Sequence, residues 1–600
     1  MTLIAGWVDT IIKGKDAEQI LQSHLSHAPS YTTKDVVVES SELYALAANQ
    51  HKIYNVKGAL LVNAGNTDLD ISAEKIIENY QQKGDAFLET NPIEQALIII
   101  DSDKKKLILA TDPIGLTNLY YALTKKGLVF GTSADSVIAH PEVKADISAQ
   151  SVYDYVYFHH CPSPNTIYQQ VKKLEGGQIL VYQNGKIKLK HYWLPSFKEN
   201  MPNSSTEMGK ELKQKLFDSV ARLSEGEDKT GAFLSGGLDS SSVAGALAQV
   251  YPDKAKTFSM GFPVEGYDEI EYANIAVKRF NTRQHEYYLT PDDTVKAIPD
   301  IAAYYDEPFG NSSALAAYYC AKVAKDNGIS VILGGDGGDE LFAGNERYAQ
   351  QLVFDYYKQV PGFVSHSMEG VLNHLPSLMA KQKLFYKAKR YIEQAKIPLP
   401  DRLQDYNFLH RHVGSEIFQS EFLQQIDSEK PLDLLRESYN RPQQASTVNR
   451  MLYMDWKTTL HDNDLVKVNK MCEMAGVTVR YPLLTQEIVE LSCQIPSADK
   501  LQAKELRKFY KQAMQGFLPE QILNKSKHGF GLPFGVWLKD YQPLKELAYD
   551  SINSLKKRPY FKAEFLDHAV KMHQSIHAAY YGELIWILMM LELWFQGKEH

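Results

Sequence analysis

Cysteine is scarce in this sequence, and no two cysteines lie close enough to form a metal-binding or redox pair. The 600 residues contain Cys161, Cys320, Cys472 and Cys493, with no C-x-x-C motif. Structural zinc sites and disulfide frameworks need cysteines at short, regular spacings. The sequence therefore argues against both, and we expect four reduced thiols in the core.

Long apolar segments and a strong net charge are also missing. The most apolar run, 585–595, contains Glu592 and is shorter than the ~20 residues of a membrane-spanning helix. No basic segment precedes an apolar stretch near Met1, so a secretory signal is not predicted. The formal net charge of −8 provides no basic surface for nucleic acid. We expect a cytoplasmic protein that binds neither membranes nor nucleic acid.

A glycine- and serine-rich loop lies within the sequence TGAFLSGGLDSSSVAG at residues 230–245. The apolar run that ends at Leu234 suits a buried strand, and apolar residues recur at helical spacing from Val243 onwards. Between them, Gly236 and Gly237 let backbone N–H groups approach an anion, and the helix start adds positive charge. The hydroxyl donors of this loop are Ser235, Ser240 and Ser241. The segment is therefore predicted to bind phosphate.

This loop lacks the lysine of the G-x-x-x-x-G-K-[ST] motif, and no Gly-Lys pair in the chain is followed by Ser or Thr. The absence disfavours kinase-type transfer of the γ-phosphate. A loop of hydroxyls with an acid, Asp239, instead suits cleavage of ATP between its α and β phosphates. Asp239 would hold a magnesium ion that bridges phosphate oxygens.

A second glycine-rich loop follows another predicted strand. After the apolar segment 330–333, the sequence GGDGGDELFAG covers 334–344 and carries Asp336 and Asp339. Ligands of doubly wound parallel sheets bind beyond the carboxyl ends of the strands. We therefore expect this loop to face the same crevice as Asp239, with Asp239 and Asp339 as magnesium ligands.

The chain divides into two predicted domains. Short apolar segments alternate with turns over residues 1–200, which indicates a β-rich domain. A polar segment around 195–205 is a predicted linker. From 206 to about 345 strands and helices alternate, and the remainder to residue 600 is mostly helical, a pattern typical of an α/β domain with a helical extension.

Further motifs occur in order along the chain: DPIGLTNLYY at 112–121, LVFGTS at 128–133, PSPNTI at 162–167, LEGG at 174–177, DEPF at 306–309, DLVKVN at 464–469, RYPLL at 480–484 and KSKHGF at 525–530. Together with the two loops, they resemble the asparagine synthetase family of glutamine-dependent amidotransferases. The resemblance implies an Ntn-hydrolase-like αββα glutaminase domain at 1–200. It implies a PP-loop synthetase domain with a doubly wound parallel sheet at 206–600.

The resemblance also implies site residues and cofactors. The family uses ATP and Mg²⁺ to convert a carboxylate to an acyl adenylate, which an amine then opens. Pyrophosphate contacts are implied for Ser235, Gly237, Asp239 and Ser240, and adenine contacts for Ser259, Met260 and Gly261. Leu234, Gly236 and Gly335 are further expected nucleotide contacts. The family's catalytic lysine falls on Arg507, with Lys504 close by, and Asp336 is the third expected catalytic residue.

The sequence departs from the family in its first domain. Family glutaminases expose an N-terminal cysteine as nucleophile, whereas position 2 is Thr2 and no cysteine precedes Cys161. The family also binds the glutamine carboxylate with an arginine, and no arginine precedes Arg222. We therefore expect that glutaminase activity is lost and that the domain serves structure or substrate binding.

Without internal ammonia the amine must come from elsewhere, as in family members that close β-lactam rings or lasso-peptide macrolactams. The leading interpretation is an ATP-dependent amide-forming ligase that joins a peptide or small-metabolite carboxylate to an amine donor. Two alternatives stay open: an asparagine synthetase that uses ammonia or glutamine, and a catalytically silent ATP-binding regulator. The sequence leaves the oligomeric state open, with a homodimer as one alternative.

Overall fold

This structure is a computed structural model. It describes residues 4–8, 12, 16–21, 36–65, 73–90, 92–200, 203–358, 383–525, 531–575 and 578–599. The strands are β1 Ala5–Val8, β2 Val36–Ser40, β3 Tyr44–Asn49, β4 Ile53–Val56, β5 Ala59–Asn63, β6 Leu97–Asp101, β7 Lys106–Ala110, β8 Tyr120–Leu123, β9 Leu128–Gly131, β10 Lys172–Lys173, β11 Gln178–Gln183, β12 Lys186–His191, β13 Thr230–Phe233, β14 Lys256–Gly261, β15 Arg283–Tyr288, β16 Val331–Leu333, β17 Thr478–Arg480, β18 Leu501–Gln502 and β19 Glu505–Leu506.

The α-helices are α1 Ala73–Lys83, α2 Ala134–Ile138, α3 Ala149–Phe158, α4 Ser205–Leu223, α5 Leu238–Val250, α6 Ile270–Phe280, α7 Pro291–Tyr304, α8 Ala314–Asp326, α9 Gly338–Phe342, α10 Glu346–Lys358, α11 Lys383–Lys396, α12 Phe408–Arg411, α13 Gly414–Ile417, α14 Ser420–Leu423, α15 Lys430–Asn440, α16 Thr447–Asp455, α17 Leu465–Met474, α18 Gln486–Gln494, α19 Ser497–Lys500, α20 Lys508–Met514, α21 Glu520–Leu523, α22 Phe534–Asp540, α23 Gln542–Leu555, α24 Ala563–Ser575 and α25 Ala578–Lys598. A π-helical segment, Trp456–Asp464, joins α16 to α17.

The amino-terminal part is a four-layer αββα sandwich. Its two antiparallel sheets have the strand orders β10-β8-β9-β1-β3-β2 and β12-β11-β7-β6-β5-β4. Side chains alternate between the two faces of a strand, so Leu107 and Leu109 pack between the sheets while Ile108 faces the outer layer with Ile77 of α1. Helices α2 and α3 cover the outer face of the other sheet. The predicted αββα architecture is confirmed, whereas the domain limits at 200 and 206 remain predictions.

The second part contains a parallel sheet of strand order β15-β14-β13-β16-β17. Every neighbouring pair in it is parallel. The chain runs from β13 outward to β14 and β15, then returns to the other side of β13 at β16. This reversal creates a crevice between the carboxyl ends of β13 and β16, where open α/β sheets bind their ligands. The predicted parallel α/β sheet is confirmed.

Helix α25 belongs to the mostly helical carboxyl-terminal part and carries the most apolar run of the sequence. Trp586 and Trp594 on this helix are buried, and the Trp594 indole N–H donates to the Tyr305 carbonyl at 3.0 Å. Within the described ranges, no helix combines the length and apolarity needed to span a membrane. All four cysteines are buried free thiols, as the sequence predicts.

Buried polar contacts join the two parts. Lys173 of β10 pairs with Glu307 at 3.0 Å, and both side chains are nearly inaccessible to solvent. The His461 ring Nδ1 lies 2.9 Å from the carbonyl oxygen of Gly115. Buried charges need partners to offset their desolvation, so these contacts hold the sandwich in a fixed position on the parallel-sheet part.

Lys500 is a fully buried lysine in the core of the second part. Its Nζ donates to Asn449 Oδ1 at 3.2 Å and lies 5.2 Å from the centre of the Phe197 ring. Burial lowers the pKa of Lys500 to about 8, although the nearby Cys493 and Glu199 favour the charged form. In the folded protein, the groups around Lys500 therefore only partly offset the cost of burying its charged ammonium.

Substitution Lys500→Met is expected to remove a pH dependence of stability. Between about pH 8 and about 10.5 the folded lysine is neutral while the unfolded lysine stays protonated, so the unfolded state binds more protons. Wild-type stability should therefore gain about 3 kcal/mol relative to the variant across this window. Thermal midpoints of both proteins at about pH 7 and about pH 9.5 capture about 2 kcal/mol of this gain. A midpoint difference that is the same at both pH values contradicts the prediction.

Candidate active site

The loop after β13 turns directly into α5. Gly237 precedes the first residue of α5, so the N-terminal N–H groups of this helix face the crevice. Gly236 has φ +72°, and a Cβ at this position would lie 2.4 Å from the backbone nitrogen of Ala273. The loop therefore requires glycine there. The hydroxyl oxygens of Ser235 and Ser240 lie 3.0 Å apart at its mouth, an arrangement that can donate hydrogen bonds to an oxyanion.

The loop after β16 contacts the first loop. A Cβ on Gly338, at the start of α9, would lie 1.9 Å from Asp239 Oδ1. No other residue fits at this close approach without displacing Asp239. The two loops that the sequence singled out separately therefore form one site, because they follow adjacent parallel strands.

Asp239 and Asp339 both contact the guanidinium of Arg507. Arg507 Nη1 lies 2.5 Å from Asp239 Oδ2 and 3.2 Å from Asp339 Oδ1, and Nη2 donates to Asp239 Oδ1. Arg507 is 4 % exposed. Burial alone would lower the pKa of this guanidinium, but the two carboxylates outweigh burial and raise it. The two acids thus flank a single cation position.

A divalent metal fits this carboxylate pair. The guanidinium between Asp239 and Asp339 stands in for a bound cation, and carboxylate oxygens are the ligands that Mg²⁺ prefers. No cluster of three or more His, Cys, Asp or Glu side chains suited to a metal occurs in the described part of the chain. Mg²⁺ is commonly held by one or two carboxylates together with substrate phosphates and water. The pair therefore suits a metal that arrives with a phosphate ligand.

A cavity of about 760 Å³ surrounds these groups. The expected site residues that line it are Leu234, Ser235, Gly237, Asp239, Ser240, Met260, Gly335, Asp336, Asp339, Lys504 and Arg507. Phe233, Phe258 and Met260 form part of an apolar wall with Ala316 and Cys320, a surface suited to a flat apolar group such as a nucleobase.

Three expected nucleotide contacts lie away from the cavity surface. The Ser259 hydroxyl donates to the Leu234 carbonyl at 2.7 Å, behind the loop. A Cβ on Gly261 would meet the Tyr288 ring at 2.6 Å, and Gly236 packs on the start of α6. Side chains alternate along β14, so Met260 faces the cavity while its two neighbours face away. Their roles in nucleotide binding stay predictions.

The structure adds a partly buried lysine and its acids to the site. Lys467 Nζ lies 2.7 Å from Asp464 Oδ1, and both residues line the cavity with Asp336. Burial lowers the pKa of Lys467, but Asp464 and Asp336 outweigh it and raise the pKa. Burial also raises the pKa of Asp336 to about 6. The sequence signal for Lys467 is its spacing from Asp464, because residues three apart on a helix are neighbours.

Lys525 also lines the cavity, where it pairs with Glu269 at 3.1 Å. The rest of its motif, residues 526–530, lies outside the described residues. Sequence reasoning placed this motif within the family resemblance but assigned no role to the lysine. Lys525 therefore joins Lys467, Lys504, Arg507 and Lys511 among the cationic side chains that line the cavity.

The amino-terminal sandwich offers no accessible thiol among its described residues. Thr2, which stands at the position of the family's nucleophilic cysteine, lies outside the described residues. Cys161 is 2 % exposed, and burial raises the pKa of its thiol well above the usual range. A buried, protonated thiol is a poor nucleophile.

The fold and the site define an α/β protein in which an αββα sandwich rests on a parallel sheet, with a glycine- and serine-rich loop at the crevice of that sheet. A family model described as asparagine synthase matches residues 211–596, and one described as glutamine amidotransferase domain matches residues 31–193. The chain belongs to the asparagine synthase family.

Two relatives show how far the similarity extends. Glutamine-hydrolyzing asparagine synthetase 1 of Bacillus subtilis is 25% identical over 507 residues, which cover 83% of this chain and 76% of the relative. Amidase chyE of Penicillium rubens is 22% identical over 510 residues, which cover 79% of this chain and 74% of the relative. The similarity spans both domains and identifies an asparagine synthetase-like enzyme.

Proposed function

We propose that this protein is an ATP-dependent amide-forming ligase that activates a carboxylate as an acyl adenylate and releases pyrophosphate. The observation that carries the proposal is the meeting of two carboxylates, Asp239 and Asp339, at one cation position beside a hydroxyl-rich loop. All of these groups line one cavity. This geometry suits a metal-bound di- or triphosphate whose α-phosphorus is open to attack.

In the first step, an oxygen of the substrate carboxylate attacks the α-phosphorus of ATP, and the bond to the pyrophosphate oxygen breaks. Ser235, Ser240 and the start of α5 would hold the leaving pyrophosphate. Asp239 and Asp339 would hold Mg²⁺, which neutralises charge on the phosphates when it is bound. Donors fixed in place before the reaction stabilise charge that develops in the transition state.

In the second step, an amine nitrogen attacks the acyl carbon, and the bond between that carbon and the AMP oxygen breaks. The amine loses one proton. Asp336 lines the cavity, and burial raises its pKa to about 6, so near neutral pH it is an ionised base of increased strength. Asp336 would receive that proton, with Lys467 holding it in place through their opposite charges.

The amino-terminal domain is proposed to lack glutaminase activity. The first 221 residues of the chain contain no arginine that could bind a glutamine carboxylate, and Cys161, the described cysteine of this domain, is buried. Its buried contacts with the synthetase domain support a structural role instead. The amine would come from a peptide or a small metabolite, held in one cavity with the adenylate so that ring closure or condensation outpaces hydrolysis.

Exchange of labelled pyrophosphate into ATP tests the proposed chemistry. We expect exchange that depends on an added acid, and stronger exchange with a peptide or metabolite acid than with aspartate. Asparagine formed from aspartate and ammonium would favour the asparagine synthetase alternative. Bound ATP without exchange across a broad acid panel would contradict adenylation and favour an ATP-binding regulator.

Glutamine hydrolysis is expected to be absent from the purified protein. The measurement is glutamate release from glutamine, compared between the wild type and Thr2→Ala at equal concentration. Equal background in both proteins is the expected result, because no arginine of the domain can bind the glutamine carboxylate. Glutamate release that disappears in the Thr2 variant would show an active glutaminase.

A further inference from the structure

Arg507 occupies the position between the two candidate metal ligands. It precedes α20 in a left-handed conformation, φ 57° and ψ 33°, which is uncommon for a residue with a side chain. This conformation directs the guanidinium into the crevice, where it makes two hydrogen bonds to Asp239 and one to Asp339. The same two carboxylates are the expected metal ligands.

A guanidinium and a divalent metal cannot share this position. An Mg²⁺ ion held between the two acids would lie about 2.1 Å from their oxygens, in the space that the guanidinium of Arg507 occupies. Two cations within about 4 Å of each other also repel strongly where water is excluded. Occupancy by one therefore opposes occupancy by the other.

The pair is closely packed on the side that faces Gly338 and Tyr510. A Cβ on Gly338 would lie 1.9 Å from Asp239 Oδ1 and 2.8 Å from Arg507 Nη2. The guanidinium carbon stands 4.3 Å from the centre of the Tyr510 ring. Arg507 must therefore leave before a hydrated metal can enter.

Arg507 retains one unused donor. Its Nε is buried and has no hydrogen-bond partner in the described structure. A buried donor without a partner is costly, and a phosphate oxygen would satisfy it. The planar guanidinium binds phosphate as well as it binds carboxylate.

We propose that Arg507 and a divalent metal are alternative partners of the Asp239–Asp339 carboxylate pair. The nucleotide-free protein then binds metal weakly, and metal enters together with a nucleotide whose phosphates accept the released guanidinium. This inference rests on the proposed function, because it assumes that the pair is a metal site. It makes Arg507 a positioning residue that couples metal entry to nucleotide entry.

Binding of Mn²⁺ to the nucleotide-free protein, measured by electron paramagnetic resonance, tests the inference. Arg507→Gln is expected to bind Mn²⁺ at least about tenfold more tightly than the wild type, because the competing cation is gone. Arg507→Lys should give an intermediate affinity, because an ammonium cannot bridge both carboxylates as a guanidinium fork does. Circular dichroism checks that each variant is folded.

Lys511→Gln is the matched control, because Lys511 lines the same cavity and its loss changes the charge equally. We expect this variant to alter Mn²⁺ affinity by less than about threefold, since long-range charge effects are weakened by solvent. Equal tightening in the Lys511 and Arg507 variants would overturn the inference in favour of a general charge effect.

A further variant separates failure of this inference from failure of the proposed function. If the wild type and Arg507→Gln bind Mn²⁺ equally and Asp239→Asn abolishes binding, Arg507 does not compete, while the metal site stands. If none of these nucleotide-free proteins binds Mn²⁺, the inference about Arg507 fails, and the proposed function is then decided by pyrophosphate exchange alone. If Arg507→Gln binds Mn²⁺ tightly and the double variant that also carries Asp239→Asn does not, the result supports both the inference and the proposed function.

Discussion

Replacement of Asp239 by asparagine is expected to lower acid-dependent ATP–pyrophosphate exchange by at least about 10³-fold. The amide keeps the shape of the carboxylate but removes one of the two negative charges at the cation position. The metal ion bound with the triphosphate would lose one ligand, and the α-phosphorus would lose its alignment for attack. Initial exchange rates at saturating ATP and Mg²⁺ measure the effect.

The control for this variant is Asp228→Asn, in an exposed position before β13. It makes the same chemical change outside the cavity and should leave the exchange rate within about twofold, because exposed charges interact weakly with a distant site. Near-ultraviolet circular dichroism verifies the packing of both proteins. Retention of more than a tenth of the wild-type rate in Asp239→Asn would remove Asp239 from the proposed mechanism.

Glu175→Gln is expected to lower the free energy of unfolding by about 3–5 kcal/mol. Glu175 follows β10 in the sandwich and is buried against Lys457 and Arg441 of the other domain, with His191 3.0 Å away. Burial would raise the pKa of Glu175, but Lys457, His191 and Arg441 together hold it well below its usual range. The neutral amide would leave the buried Lys457 without this anion and would leave Arg441 with only its exposed partner Glu437.

Glu437→Gln provides a control that involves the same arginine. Glu437 pairs with Arg441 at 2.8 Å, but its side chain is 65% exposed. Solvent weakens such pairs, so this variant should lose less than about 1 kcal/mol. Urea unfolding of the three proteins measures both effects. Similar losses in the two variants would show that the buried network does not join the domains.

The glycine- and serine-rich loop between β13 and α5 could be predicted from the sequence because its pattern is local. Ser235, Gly236 and Gly237 are contiguous with Asp239, and the flanking strand and helix carry clear apolar patterns. The β16 loop could be predicted for the same reason. Their meeting followed from a general property of parallel sheets, in which loops at the carboxyl ends of adjacent strands share one crevice.

The partner of these acids could not be predicted. Arg507 is 268 positions from Asp239, and the resemblance placed it where the family has its catalytic lysine, with no indication of a bridge between two carboxylates. Lys467 was similarly missed, because a lysine is usually a solvated residue. Its burial depends on how α17 packs beside the parallel sheet, which the local pattern does not encode.

By itself, the sequence determined a β-rich first part, the parallel sheet and the two glycine-rich loops that carry Asp239 and Asp339, because these depend on contiguous patterns, whereas the αββα arrangement was implied by the resemblance of ordered motifs to a known family. Only the tertiary structure decided that one guanidinium lies between those acids and that Glu175 meets its cations across the domain boundary. The physical reason is that burial and long-range ion pairing arise from the packing of segments far apart in the chain, and this packing sets which charges must find partners.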